Sequence, residues 1–158
     1  MERLKKKIIY TAAVGIITAV SFFIMYSTTE NYIQATRATH QLGGELVALE
    51  FEGEDVVNVT FNFHNTSTLD IYLQKIAFNL YANGRFLGNY DMREKTLLPP
   101  GETQITITAK IHRIYMEGLR SEKEYTENLL WVTKGGAVIE LPFKGMTISV
   151  DIIEYWVT

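Results

Sequence analysis

The chain has no cysteine, which rules out a disulfide framework and thiolate chemistry and leaves packing alone to stabilise the fold. The compartment stays open on this ground, because many exported proteins outside eukaryotes lack disulfides. A strong charge of either sign is missing too. Charged residues make up 21% and the formal net charge is −3, which gives no sign of nucleic-acid binding. The one dense basic cluster, Arg3, Lys5, Lys6 and Lys7, stands beside an apolar run that accounts for it. Internal repeats and low-complexity tracts are absent. With 47% apolar residues, this is not a disordered polar chain.

Catalytic motifs are lacking as well. No nucleophile elbow, glycine-rich phosphate loop or His-Glu-x-x-His helix occurs. His40, His64 and His112 are the only histidines. His40 falls in a linker; the other two sit on polar strand faces beside Asn62 and Lys110, too few ligands for a metal. Asp55, Asp70, Asp91 and Asp151 are scattered through turns and polar faces, while Glu117, Glu122, Glu124 and Glu127 lie among Arg120 and Lys123 as a solvated helix face. The expectation is no catalytic residue, no metal, no cofactor, no nucleic acid and no small-molecule substrate.

What the chain does have begins with residues 8–29, which carry no charge. As a helix rising about 1.5 Å per residue they span roughly 33 Å, matching a hydrocarbon core of about 30 Å. Ile8, Ile9, Val14, Ile16, Ile17, Val20, Phe22, Phe23 and Ile24 form this transmembrane anchor. Thr11, Thr18 and Ser21 can return their hydroxyls to helix carbonyls. Arg3, Lys5, Lys6 and Lys7 precede the run and Glu30 follows it, so the positive-inside rule puts the N-terminus in the cytoplasm and the rest outside. A cleaved signal peptide is the competing reading. The apolar run is longer than the usual 7–15 residues or so, and residues 25–30 (MYSTTE) offer no small-x-small cleavage site. Ala12, Gly15 and Ala19 are read as part of a plain anchor. The plan is a cytoplasmic basic tail at 1–7, an anchor at 8–29, a stalk or helical extension at 30–44, and one extracytoplasmic domain at 45–158 of a single-pass cell-membrane protein.

Beyond Gly43-Gly44 the hydrophobic period becomes two. In residues 57–64, Val57, Val59, Phe61 and Phe63 share one face, and Asn58, Thr60, Asn62 and His64 the other. Residues 46–51 make the strand before it. Along 71–81 the apolar phase flips, from Ile71 and Leu73 to Ile76, Phe78 and Leu80, which predicts a bulge near Gln74-Lys75 or a strand that crosses between sheets. Asn83-Gly84 predicts a tight hairpin into 85–90, and Pro99-Pro100-Gly101 ends the next short strand. Residues 103–112 alternate again, with Ile105, Ile107, Ala109 and Ile111 inward. Residues 114–130 lack period two and predict a short helix. Residues 137–143 and 146–156 form a last hairpin around Lys144-Gly145. The fold class is all-β, an antiparallel immunoglobulin/fibronectin-III-like sandwich behind a transmembrane helix, with one short helix near 114–130.

The order of these elements carries a resemblance. The strand Val57-Asn58-Val59-Thr60-Phe61-Asn62-Phe63 runs into His64-Asn65-Thr66-Ser67. Ile76-Ala77-Phe78-Asn79-Leu80-Tyr81-Ala82-Asn83-Gly84-Arg85-Phe86-Leu87-Gly88 follows, and Leu98-Pro99-Pro100-Gly101-Glu102-Thr103 leads into another alternating strand. This succession resembles the WHy (water stress and hypersensitive response) domain of the late embryogenesis abundant type 2 family, here in a membrane-anchored prokaryotic or archaeal form. In that family the first turn is Asn-Pro-Asn. Thr66 and Ser67 stand where Pro and Asn are usual, so Asn65 alone keeps its place. The family turns fall on Asn65, Asn83, Gly84, Pro100 and Gly101. Residues 136–150 are similar to the family's last hairpin, so the resemblance covers nearly all of 45–157. It implies an immunoglobulin- or fibronectin-like sandwich, an association with desiccation or osmotic stress, and no catalytic activity.

Two functions follow as expectations. The first is a non-catalytic, extracytoplasmic domain, stress-protective or binding, that works through polar strand faces beside the membrane. The alternative is a structural or adaptor subunit of a cell-surface assembly such as a pilus, an archaellum-type motor or an envelope complex, with a protein partner at a sheet edge. Asn58 and Asn65 begin glycosylation triplets, with Asn65 in a reachable turn. Tyr115, Tyr125, Trp131, Tyr155 and Trp156 either form an exposed aromatic patch near the helix and the C-terminus or, the favoured reading, cap the open ends of the sandwich.

Overall fold

The computed structural model describes residues 2–126, 128–142 and 146–157, without the side chains of 2, 4, 37–41 and 123–126. The predicted Lys144-Gly145 turn and the side chains of His40 and Tyr125 lie outside the described residues. The first element, α1 (Glu2–Gln41), is a helix of 40 residues, about 60 Å long at 1.5 Å per residue. It runs through the predicted anchor and on through most of the predicted stalk. Residues 30–41 contain neither glycine nor proline, and the helix stops where Leu42-Gly43-Gly44 begins. The stalk is therefore a helical extension.

The stretch within Lys5–Thr36 is long and apolar enough to cross a membrane, and its apolar window packs against nothing else in the chain. Thr11 and Thr18 donate their hydroxyls to the carbonyls of Lys7 and Val14 at 3.0 and 2.9 Å, so neither hydroxyl needs water. Only the last turns meet the domain, where Gln34, Ala35 and the following Leu42 are buried.

The domain consists of β1 (Gly44–Glu52), β2 (Val56–Asn65), β3 (Ile71–Ala82), β4 (Arg85–Met92), β5 (Thr96–Leu98), β6 (Gly101–Lys110), α2 (Arg113–Thr126), β7 (Leu130–Glu140) and β8 (Thr147–Val157). One sheet has the order β1-β2-β6; the other is β4-β3-β7-β8, with β5 also on β3. All pairings are antiparallel. This is the expected sandwich with one long apolar helix and one short second helix.

Its core is the period-two pattern made solid. Val57, Val59, Phe61 and Phe63 are fully buried, as are Ile76, Leu80 and Ile139 of the other sheet. Phe61 and Phe78 meet edge to face at 5.1 Å across the layers. Each such side chain contributes about 1.5–3 kcal/mol by leaving water. The phase flip in β3 is a bulge, since Leu73 faces Ile139 and Lys75 faces Val138 with Gln74 unmatched between them. At the hairpin both Asn83 and Gly84 take positive φ, 47° and 78°, the geometry that lets a two-residue turn follow the sheet twist.

Three expectations change. β7 starts at Leu130, seven residues before the predicted 137, so Gly135-Gly136 lies mid-strand and is not a break. β6 ends at Lys110, and His112 leaves the strand to cap α2: its carbonyl accepts from the Tyr115 and Met116 amides, and its Nδ1 from Ile114 N–H at 3.4 Å. Trp131 belongs to the core, fully buried and 5.6 Å from the Phe51 ring. Trp156 packs on the same core, whereas Tyr115 and Tyr155 are exposed.

Candidate functional site

The family-turn residues are brought together at two corners of the sandwich. At the first, Asn65 ends β2 and is buried. Its Nδ2 donates to the carbonyls of Leu69 at 2.8 Å and Leu98 at 2.9 Å, while its Oδ1 accepts from the Ser67 amide at 3.1 Å and the Ser67 hydroxyl at 2.7 Å. Gly101 sits opposite Asn65 in register with φ 106°, and Pro100 is exposed beside it. Asn65 thus ties the end of β2 to β5, and Ser67 supplies the turn's second polar group. The Asn65 amide that a glycosyl transferase would use is enclosed and bonded in the folded domain. Asn58 also engages its side chain, with Glu52 at 2.7 Å and Thr108 at 3.0 Å.

Asn65→Ala strands the Leu98 carbonyl and the Ser67 amide, while the Leu69 carbonyl keeps only the Ser67 hydroxyl at 3.2 Å. An unsatisfied buried polar group costs about 1–3 kcal/mol, so the variant should lose about 3 kcal/mol. Urea unfolding of the full chain in detergent, followed by the fluorescence of buried Trp131, reads this directly. Ser67→Ala should lose less, because the two carbonyls keep their donor.

At the second corner the Asn83-Gly84 turn is locked to its neighbours. Asn83 N–H donates to Leu130 O at 2.8 Å, and Leu130 N–H returns to Asn83 Oδ1 at 2.9 Å. Glu122 of α2 accepts from Asn83 Nδ2 at 3.1 Å and pairs with Arg85 at 2.7 Å. Arg120 reaches the Gly53 carbonyl between β1 and β2. Met116 and Leu119 bury the inner face of α2. The helix is therefore a lid across the end away from α1.

The polar face of the β1-β2-β6 sheet is bonded within itself. Thr60 and Thr106 share a hydrogen bond of 2.9 Å across β2 and β6, beside the Asn58–Thr108 bond. At the seam where β1 meets β8, an open trough of about 460 Å³ is lined by Glu45, Glu102, Asp151, Glu154, Asn62 and His64. Burial, then the Glu45 carboxylate, hold Glu154 above the usual carboxylate range. A raised folded-state value favours folding below the ordinary glutamate range, and that contribution is lost as pH climbs through the raised value. Glu154→Gln should therefore raise the unfolding midpoint at neutral pH and flatten its fall in that window, as thermal unfolding at a series of pH values would show. Among the described residues no three His, Cys, Asp or Glu side chains are arranged to hold a metal ion.

The other sheet carries an apolar band on its outer face. Phe86, Tyr81, Val132 and Tyr155 lie side by side across β4, β3, β7 and β8, with Leu130 and Val157 paired next to them. Phe86 is 50%, Tyr155 63% and Val157 61% exposed. Contiguous apolar surface of this kind is a mark of protein contact. Alternation does place these residues outward, but only the cross-strand register shows that they adjoin.

The predicted topology residues Arg3, Lys5, Lys6 and Lys7 are exposed in the first turns of α1, and the nine anchor side chains are exposed in its apolar window. No family model and no curated protein matches the chain. Solved structures do. The solution structure of an Arabidopsis thaliana protein superposes with TM-score 0.59 at 17% identity, covering 73% of this chain and 79% of that one. The solution structure of a candidate late embryogenesis abundant protein matches with TM-score 0.51 at 15% identity, covering 74% and 71%. A crystal structure from Archaeoglobus fulgidus matches with TM-score 0.50 at 8% identity, covering 70% and 90%. At these identities the likeness is one of fold alone: this chain shares a two-sheet β-sandwich with these three proteins, one of them a candidate late embryogenesis abundant protein.

Proposed function

We propose that this chain is a single-pass membrane protein whose sandwich stands on the outer side and acts without catalysis, by binding and protecting membrane-proximal material under water stress. One observation supports this above the others: an apolar helix of membrane-spanning length continues unbroken into a sandwich of the late embryogenesis abundant fold. The four basic residues before the apolar run favour a cytoplasmic N-terminus, and the poor cleavage site favours retention of the helix. Cells with and without the protein, compared for survival after drying or osmotic shock, test the protective role. Better survival of producing cells is expected, and equal survival removes the role.

The apolar band across β4, β3, β7 and β8 favours a second reading, a structural or adaptor subunit of a surface assembly. A stoichiometric partner pulled down from detergent-solubilised membranes would support it. A clean monomer would count against it.

A further inference from the structure

The two sheets leave four strand edges, and three of them are closed or broken. β1 and β8 approach each other: a Cβ on Gly44 would lie 3.0 Å from Ile152 Cδ1, and Glu45 faces Glu154. β4 is interrupted where Leu87 bulges between the Leu80–Gly88 and Tyr81–Phe86 pairs, and β5 replaces it along the rest of β3. Bulges and short edge strands discourage added strands. β6 has neither. Its ten residues, Gly101 to Lys110, pair with β2 in one unbroken register, and it contains no proline. Among the described residues the other sheet reaches β6 by a hydrogen bond only at its last residue, where the Tyr90 hydroxyl donates to the Lys110 carbonyl at 3.1 Å. Beside that end, an open cleft of about 570 Å³ between β4 and β6 is lined by Leu87, Tyr90, Lys110 and Ile111.

We propose that the outer edge of β6 receives an extended strand from a different polypeptide, running antiparallel to it. Unpaired amides and carbonyls along the edge supply the attachment, and side chains on one face of the guest enter the cleft. A second copy of this chain does not fit that place. β1 leaves the end of α1, β2 returns and β6 runs outward again. An antiparallel β6–β6 pair would therefore point two anchors in opposite directions, an exclusion that rests on the membrane-anchored reading. Charge sets the guest's chemistry. Lys110, 3.4 Å from Asp55 but 80% exposed, ends β6, and Glu102, 3.9 Å from His64 but 67% exposed, stands near its start, with Gln104, Thr106 and Thr108 exposed between them. An antiparallel guest matches this edge with an acidic residue at its N-terminal end, a basic one at its C-terminal end and β-branched polar residues between.

The cysteine-free chain allows a direct test. Full-length single-cysteine variants Gln104→Cys, Thr106→Cys and Thr108→Cys are made in their own cells, labelled with benzophenone maleimide in isolated membranes and irradiated. Asn79→Cys, on the outer face of the other sheet, is the control. The three β6 positions should give at least tenfold more of one cross-linked product than the control. Peptide mapping should place the 104 and 108 adducts four residues apart on the partner, in reversed order. Equal yield from Asn79→Cys, no product, adducts in the same or no order, or adducts to a second copy of this chain would each overturn the proposal. Cross-links report contact and not survival, so this result stands or falls apart from the stress role.

Discussion

Gly135→Ala is expected to abolish the folded sandwich. Gly135 lies in the middle of β7 directly opposite Phe78 of β3, at the joint of the two central strands. A Cβ there would sit 2.5 Å from Phe78 Cα, 2.8 Å from Phe78 Cβ and against the Ala77 carbonyl oxygen. Two of those are main-chain atoms and the third, Phe78 Cβ, is fixed to the main chain, so no rotamer change makes room and β3 must move away from β7. Phe78 could not follow without leaving Phe61, its partner across the core. Overpacking of this kind costs about 3 kcal/mol or more, a large part of the 5–15 kcal/mol or so that stabilises a domain. Loss of the near-ultraviolet circular dichroism of the full chain in detergent, with α1 still helical, is the expected readout. Two other glycines calibrate it. Gly43 has open space around it and should accept alanine without effect, whereas Gly136, with only the Val150 carbonyl 3.0 Å away, should show a mild loss. A cooperatively folded Gly135→Ala variant of parental stability would show that β3 and β7 are not packed this closely.

That glycine pair also marks where the sequence stops being legible. Alternation revealed β2, β6 and the bulge in β3 because the inward residues there are mostly large and apolar, so local pattern and burial coincide. In β7 the inward positions include Thr133 and Gly135, and the outward ones include Val132 and Val138. The period is blurred, and Gly-Gly reads as a turn although it answers the bulk of Phe78, a residue 57 positions away in the chain (135 − 78). His112 misleads for a related reason: the strand pattern before it continues in phase, but the chain turns into α2 after Ile111. Asn65 was legible as a turn residue and not as a buried one. Its polarity suggests exposure, and only the placement of Leu69 and Leu98 shows that its amide is spent inside. The long apolar helix was the easiest part, since a charge-free run needs no tertiary partner to be recognised. The apolar band and the bare edge of β6 were the hardest, because both depend on which strands become neighbours.

Reversing the charges that flank the anchor should turn the domain to the other side of the membrane. The parent chain bearing Ser149→Cys, an exposed position on β8, should react with a membrane-impermeant maleimide in intact cells. With Arg3, Lys5, Lys6 and Lys7 replaced by glutamine and Glu30 by lysine, that reaction should fall by more than half and return on lysis. The physical cause is local: Lys and Arg beside an apolar helix are retained on the cytoplasmic side, and moving their excess to the far flank moves the preferred orientation with it. The structure gives the readout its reach. Because α1 continues without a break from the apolar run to Gln41, and Ala35 and Leu42 are packed against the domain, the sandwich follows the helix wherever its C-terminal end emerges. If the parent reacts only after lysis, the sandwich lies inside, and protection of material outside the membrane is lost as a function even though the fold is unchanged. Equal labelling of both forms in intact cells would instead mean that the basic cluster does not choose the side, leaving the folding of the sandwich itself as what commits the chain to one face.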